Sequence, residues 1–194
     1  MDKKGVEENW RELKEAADFI LWCFEHPRLS FAANGLLYAE SEGGMNAYTL
    51  YCNVPCYLGL ISYAEMARAA GNVEDAEKWE ECAETIRKAI SERLAKGNRW
   101  SQDIFGFFHD PVITMMSDIF GYDLNDMPED WVENSRNAYE LDVRRIRNQG
   151  HFGPSGIGYD HSMITQNALL LDMMDDANKL VSNLTKLSYA PGLP

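Results

Sequence analysis

The chain has 194 residues, of which 45% are apolar and 25% charged, proportions that suit a globular domain with a sizeable core. Its formal net charge of −13 argues against nucleic acid and anionic membrane as partners, since both would repel it. No apolar run is long enough to span a bilayer and no signal peptide is legible, so no membrane partner is expected.

Residues 1–5 read as a frayed start. Val6, Trp10, Leu13, Ala17, Ile20, Leu21 and Phe24 then recur at the three-and-four spacing of one helical face. This helix should end near His26-Pro27, because proline cannot continue it. The connection from Arg28 to Met45 follows, with Glu40 and Glu42 just ahead of Gly43-Gly44. Long ordered connections of this kind often carry function.

From Asn46 to Leu94 the pattern predicts two long helices joined at Gly71-Asn72. Tyr51, Val54, Tyr57, Leu58, Ile61, Ala64 and Ala67 stripe the first. Its other side, with Cys52, Asn53, Cys56, Gly59, Leu60 and Ser62, is almost uncharged, so the helix should be covered on most sides. The second is amphipathic. Ala76, Trp79, Cys82, Ala83, Ile86, Ala89, Ile90 and Leu94 line one face, and Glu77, Lys78, Glu80, Glu81, Glu84, Arg87 and Lys88 the other. Gly71 suits a left-handed helix end, Asn72 a side-chain N-cap, and Gly97 closes the segment. An inner, uncharged helix beside an outer, charged one is the pattern of concentric helical layers.

Residues 98–110 are aromatic and irregular. Asp110-Pro111 should open a short helix that Gly121 stops, and Asp126-Met127-Pro128 another through Trp131, Ser135, Ala138 and Leu141. The basic run of Arg144, Arg145 and Arg147 leads into a glycine-rich loop ending at Asp160-His161. In so acidic a chain these arginines should be ion-paired, with an acidic sugar or phosphate as the other possible partner. A second helical hairpin follows. Met163, Ile164, Asn167, Ala168, Leu170 and Leu171 lie on its first arm, and Ala177, Leu180, Val181, Leu184 and Leu187 on its second.

The two hairpin turns echo each other. In each, an acidic pair precedes Ala-x-Lys at the start of the outer helix: Glu74-Asp75-Ala76-x-Lys78 and Asp175-Asp176-Ala177-x-Lys179. Repeated helical hairpins stack, because one alone cannot bury its face. No strand pattern of any length is present, so the fold expected is all-α. The four cysteines, Cys23, Cys52, Cys56 and Cys82, lie within apolar helical patterns and form no paired zinc motif. They read as buried free thiols, which with the missing signal peptide favours a reducing, cytoplasmic setting. No metal and no cofactor is expected.

The order of long loop, inner helix, tight turn and outer charged helix resembles the alpha/alpha toroid of the six-hairpin glycosidases. Two stretches carry the resemblance. One is Glu42-Gly43-Gly44 with the helices through Ile90, and the other is Gly156-Ile157-Gly158-Tyr159-Asp160-His161 followed by Thr165-Gln166-Asn167 and Asp172. The resemblance covers roughly residues 30–194 and is one of style rather than of a complete motif. It implies stacked antiparallel hairpins in an incomplete toroid. Residues 1–194 then form a single helical domain, a fragment of a larger catalytic domain or one completed by association. It also implies a carbohydrate cleft at one end, lined by the loops that enter the inner helices.

Glycoside hydrolysis needs two carboxyl groups, one acting as acid and one as base or nucleophile. The rim loops implied by the resemblance offer Glu42 as acid, where Gly43-Gly44 permits close approach of a substrate. They offer Asp160 as base, although it could equally cap the helix that follows. Glu40, Trp100, Phe108, Tyr159 and His161 would bind the substrate, the aromatic rings by stacking on sugar faces. Two rivals differ in class. One is a non-catalytic helical-repeat module that binds a partner on its concave face. The other is a non-hydrolytic toroid that moves protons with Tyr or His. An incomplete toroid would also leave apolar helix faces exposed, so a homo-oligomer is expected.

Overall fold

In the computed structural model the described residues are 3–40, 46–100, 112–149 and 159–187. Helices dominate them, as an all-α fold requires. The extended ladder among them is two residues long on each side, Ala39–Glu40 (β1) against Asn46–Ala47 (β2), antiparallel. The chain divides into two compact units, Met1–Leu94 and Ala95–Pro194, where the sequence reads as one domain. No helix among the described residues is long and apolar enough to cross a membrane.

The first unit begins with α1 (Lys3–Glu8) and α2 (Trp10–Glu25). The first turns are therefore helical rather than frayed. Asn9 separates the two helices, and its side-chain amide donates to the Gly5 carbonyl at 2.8 Å. A proline at the first position opens the short α3 (Pro27–Ser30), as its locked φ favours. After the connection come α4 (Leu50–Ala69) and α5 (Val73–Ala89), the latter extended by a π-helical turn, Ile90–Leu94.

Helix α4 is buried on more than one side, as its lack of charge predicts. Val54, Leu58, Ala64 and Ala67 are buried, and so are Asn53 and Leu60 from its other side. Its partner α5 buries one stripe only, through Ala76, Trp79, Ala83, Ile86 and Ala89. Helix α2 lies against both. The knot of this core is Trp79, fully buried, whose ring lies 5.8 Å from Trp10 and 6.2 Å from Tyr63. Its indole N–H donates to Asp18 at 3.0 Å, which meets the polar need of a buried tryptophan.

The α4–α5 turn is left-handed at Gly71, φ +85°. Asn72 stands just before α5, but its side chain makes no capping bond. Its backbone does the work instead, with the N–H reaching the Ala67 carbonyl at 2.8 Å and the C=O accepting from Ala76 at 3.2 Å. The α4 carbonyl is thereby satisfied by a Schellman-type bond.

The second unit holds α6 (Val112–Thr114), running into a π-helical turn (Met115–Ile119), then a 3-10 turn (Leu124–Asp126) and the helices α7 (Glu129–Gln149), α8 (Tyr159–Leu170) and α9 (Met174–Leu187). Gly121 ends the first stretch with φ +71°. Helix α7 continues through the basic run. It packs against α6, α8 and α9, burying Trp131, Ser135, Ala138 and Tyr139. Tyr139 takes the buried place, and Leu141 is exposed, contrary to its expected place on the buried stripe.

The echo between the hairpins extends to their hydrogen bonds. Met173 N–H reaches Ala168 O at 2.8 Å and Ala177 N–H reaches Met173 O at 3.0 Å, matching the Asn72 and Ala76 bonds one for one. Asp172, φ +59°, stands where Gly71 stands.

Candidate functional site

The connection between α3 and α4 is a built structure. Phe31, which ends α3, is left-handed at φ +59°. Asn34 (φ +55°) and Gly35 (φ +80°) make a tight turn closed by two Ala33–Leu36 backbone bonds, both 3.0 Å. Positive φ at both central residues explains the Asn-Gly pair. Gly35 also abuts α5, since a Cβ there would lie 2.9 Å from Ala89 Cβ. Ala32, Leu36 and Leu37 are buried beneath the turn.

One side chain of the inner helix holds this connection. Asn53, fully buried, accepts from Leu37 N–H at 2.8 Å and donates to Leu37 O at 3.1 Å and to Thr49 O at 2.9 Å. It satisfies both backbone groups of the buried Leu37, as buried backbone requires. The ladder of Ala39 with Ala47 and Glu40 with Asn46 then closes the loop, and Thr49 caps α4 by accepting from Cys52 N–H at 3.2 Å. Glu40 is thus a ladder residue. Glu42 lies in the segment between the two strands, outside the described residues.

An aromatic group sits on this connection. The rings of Phe31 and Tyr38 are 5.5 Å apart, and those of Tyr38 and Tyr48 are 5.6 Å apart, edge to face. The Tyr48 hydroxyl donates to the Phe31 carbonyl at 2.7 Å. Phe31 is 61% exposed.

In the second unit, Tyr159, Asp160 and His161 occupy the first turn of α8. Asp160 is therefore within the helix, one residue past its start, rather than the cap. Phe108 lies outside the described residues. Trp100 is a core residue. It is 2% exposed, its indole N–H donates to Ser135 Oγ at 2.9 Å, and its ring meets Trp131 edge to face at 6.1 Å. That ring has no free face for a sugar.

Arg147 is ion-paired, to Asp176 and, at 3.0 Å, to Glu140. Asp176 also accepts from the Tyr139 hydroxyl at 3.0 Å. The Arg147 guanidinium holds the Asp176 carboxyl below the usual range, against the opposing effect of burial. Burial, then the Asp176 bond, pushes the Tyr139 phenol up.

The four thiols are free. Burial pushes Cys23 up and Cys82 to about 11. Cys56 donates to Cys52, which raises Cys56 and lowers Cys52. Among the described residues no group of three or more His, Cys, Asp or Glu side chains could hold a metal ion.

Asn53 and the Phe31–Tyr38–Tyr48 group are not among the residues that sequence reasoning singles out. A signal existed for each. Asn53 is a lone amide in an apolar helix, four residues past its cap, and Asn34-Gly35 marks a tight turn inside the connection. Comparison with models of known protein families, with curated proteins and with solved structures finds no match to this chain.

Proposed function

We propose that this chain is a carbohydrate-active domain resembling the six-hairpin glycosidases, hydrolysing a glycosidic bond with Glu42 as acid and Asp160 as base. The observation that carries the reading is the repeated hairpin. In each unit a helix poor in charge, α4 or α8, is joined to a more charged helix by the same hydrogen-bonded turn. In each, the candidate residues come at or before the N-terminal end of the first helix of the pair. Asp160 lies in the first turn of α8, and Glu42 belongs to the segment that leads into α4. Glu40 belongs to the same connection as Glu42, and Tyr159 and His161 to the same helical turn as Asp160; in this reading they and Phe108 are the sugar-binding residues. A second copy of the chain is a further partner in this reading, supported by exposed Phe19, Trp22 and Leu29 on α2 and α3.

The test is turnover of neutral aryl glycosides by the wild-type chain, by Glu42→Gln and by Asp160→Asn. Each substitution should lower turnover by about a hundredfold or more, the usual effect of losing a general acid or base. Unchanged turnover in both would sink the assignment. The same repetition of hairpins favours a second reading, a non-catalytic helical-repeat module. That module would hold a peptide or protein partner, so neither turnover nor binding of any sugar by the wild-type chain would select it.

A further inference from the structure

We infer that Phe31, with Tyr38 and Tyr48, forms an exposed platform that stacks on the ring of a neutral pyranose sugar. The inference rests on the carbohydrate-active reading and names where the sugar lies. Phe31 combines two unfavourable features. A bulky side chain at φ +59° is strained, because its Cβ crowds the backbone. Its phenyl ring is also left 61% exposed. A left-handed helix end needs only glycine or asparagine, and either would remove both penalties. Backbone strain of this kind persists where surrounding structure over-determines it, and it gathers at ligand sites.

Here the surrounding structure is specific. The Tyr48 hydroxyl grips the Phe31 carbonyl at 2.7 Å, and Tyr38 lies between the two rings, 5.5 Å from one and 5.6 Å from the other. Both tyrosines are half-buried. The connection is also tied at Leu37 to the buried Asn53. The phenyl ring is therefore held outward on a rigid support rather than on a loose loop.

The chemistry of the surface selects the ligand. A pyranose has a C–H face that an aromatic ring covers and hydroxyls that phenol oxygens meet at its edge. The segment from Phe31 to Thr49 contains Glu40 and Glu42 but no Lys or Arg, and the chain carries a net charge of −13. An acidic sugar or a phosphate would be repelled there.

Isothermal titration with short neutral oligosaccharides of glucose, mannose, galactose and xylose tests the platform. Three proteins are compared: wild type, Phe31→Gly and Phe31→Trp. Phe31→Gly should weaken binding by about tenfold or more, the value of one lost ring contact, while its melting temperature stays level or rises as the strain is released. Phe31→Trp should retain binding. A Kd for Phe31→Gly equal to that of wild type would overturn the platform, as would a wild-type chain that binds none of these sugars. Turnover by Glu42→Gln is read separately, so the hydrolase reading can stand when the platform falls, and the reverse.

Discussion

Asp75 and Asp176 occupy the same place in two hairpins, each in the first turn of the outer helix, and each is bound by a cation from an earlier helix. Asp75 accepts from Lys14 of α2 at 2.5 Å, and Asp176 accepts from Arg147 of α7. The acidic pair that repeats in the sequence is thus a fastening for the outer helix, strengthened by the positive end of the helix dipole. The two fastenings differ in burial. The Asp176 side chain is 9% exposed and that of Asp75 19%.

Substituting the two should separate their strengths. Asp176→Asn leaves the buried Tyr139 hydroxyl and the partly exposed Arg147 guanidinium poorly matched and should cost about 2 kcal/mol. Asp75→Asn faces Lys14, whose side chain also reaches Asp18 at 3.2 Å, and should cost under about 1 kcal/mol. Urea unfolding of both variants gives the comparison, and equal losses would contradict it.

The Asp176 cluster also predicts pH dependence at both ends. The Asp176 carboxyl is lowered in the fold, chiefly by Arg147. Its contribution is therefore fully present above about pH 4 and is lost as pH falls through the lower folded value. Tyr139 is raised, chiefly by burial. Its contribution is fully present below about pH 10 and is lost as pH rises beyond that. Asp176→Asn should flatten the acid limb of stability against pH, and Tyr139→Phe the alkaline limb.

The paired turns allow an exchange experiment. Gly71 and Asp172 both adopt left-handed backbone, φ +85° and +59°. Gly71→Ala should destabilise by about 1 kcal/mol, since an L side chain crowds the backbone there. Asp172→Gly should be neutral or stabilise by up to about 1 kcal/mol for the same reason. Thermal melts of the two variants should shift in opposite directions or leave the second unmoved.

Trp100 should behave as a core residue. Trp100→Ala should cost about 3–5 kcal/mol through the cavity it leaves. Trp100→Phe should cost less but strand the Ser135 hydroxyl, at about 1–2 kcal/mol. Sugar affinity of the folded Phe variant should match wild type. A selective loss of affinity with unchanged stability would return Trp100 to the binding surface.

Asn53→Ala removes three hydrogen bonds from buried or half-buried backbone, a loss of about 2–4 kcal/mol. The damage should be local first. Limited proteolysis should cut near Leu37 in this variant well before wild type, because the Leu37 backbone loses the Asn53 side chain that holds it.

Much of the fold was legible from residue spacing. The buried stripe of α5, the covered character of α4, the left-handed glycines at 71, 97 and 121 and the echo between hairpins all follow from local preference and helical period. The site was less legible. Trp100 sits in an aromatic, irregular stretch, and nothing local told a ring stacked on sugar from one packed on Trp131. Asn53 looked like one more uncharged residue.

What the sequence determined by itself is therefore the set of elements and their faces, because helical period and turn chemistry act within a few residues of each position. What only tertiary structure decided is which distant groups meet. Lys14 finds Asp75, Arg147 finds Asp176, Ser135 receives the Trp100 indole, and Asn53 clasps Leu37. Each of these pairs joins separate segments of the chain. Its existence depends on how helices and loops distant in sequence pack against one another, a condition that no local pattern encodes.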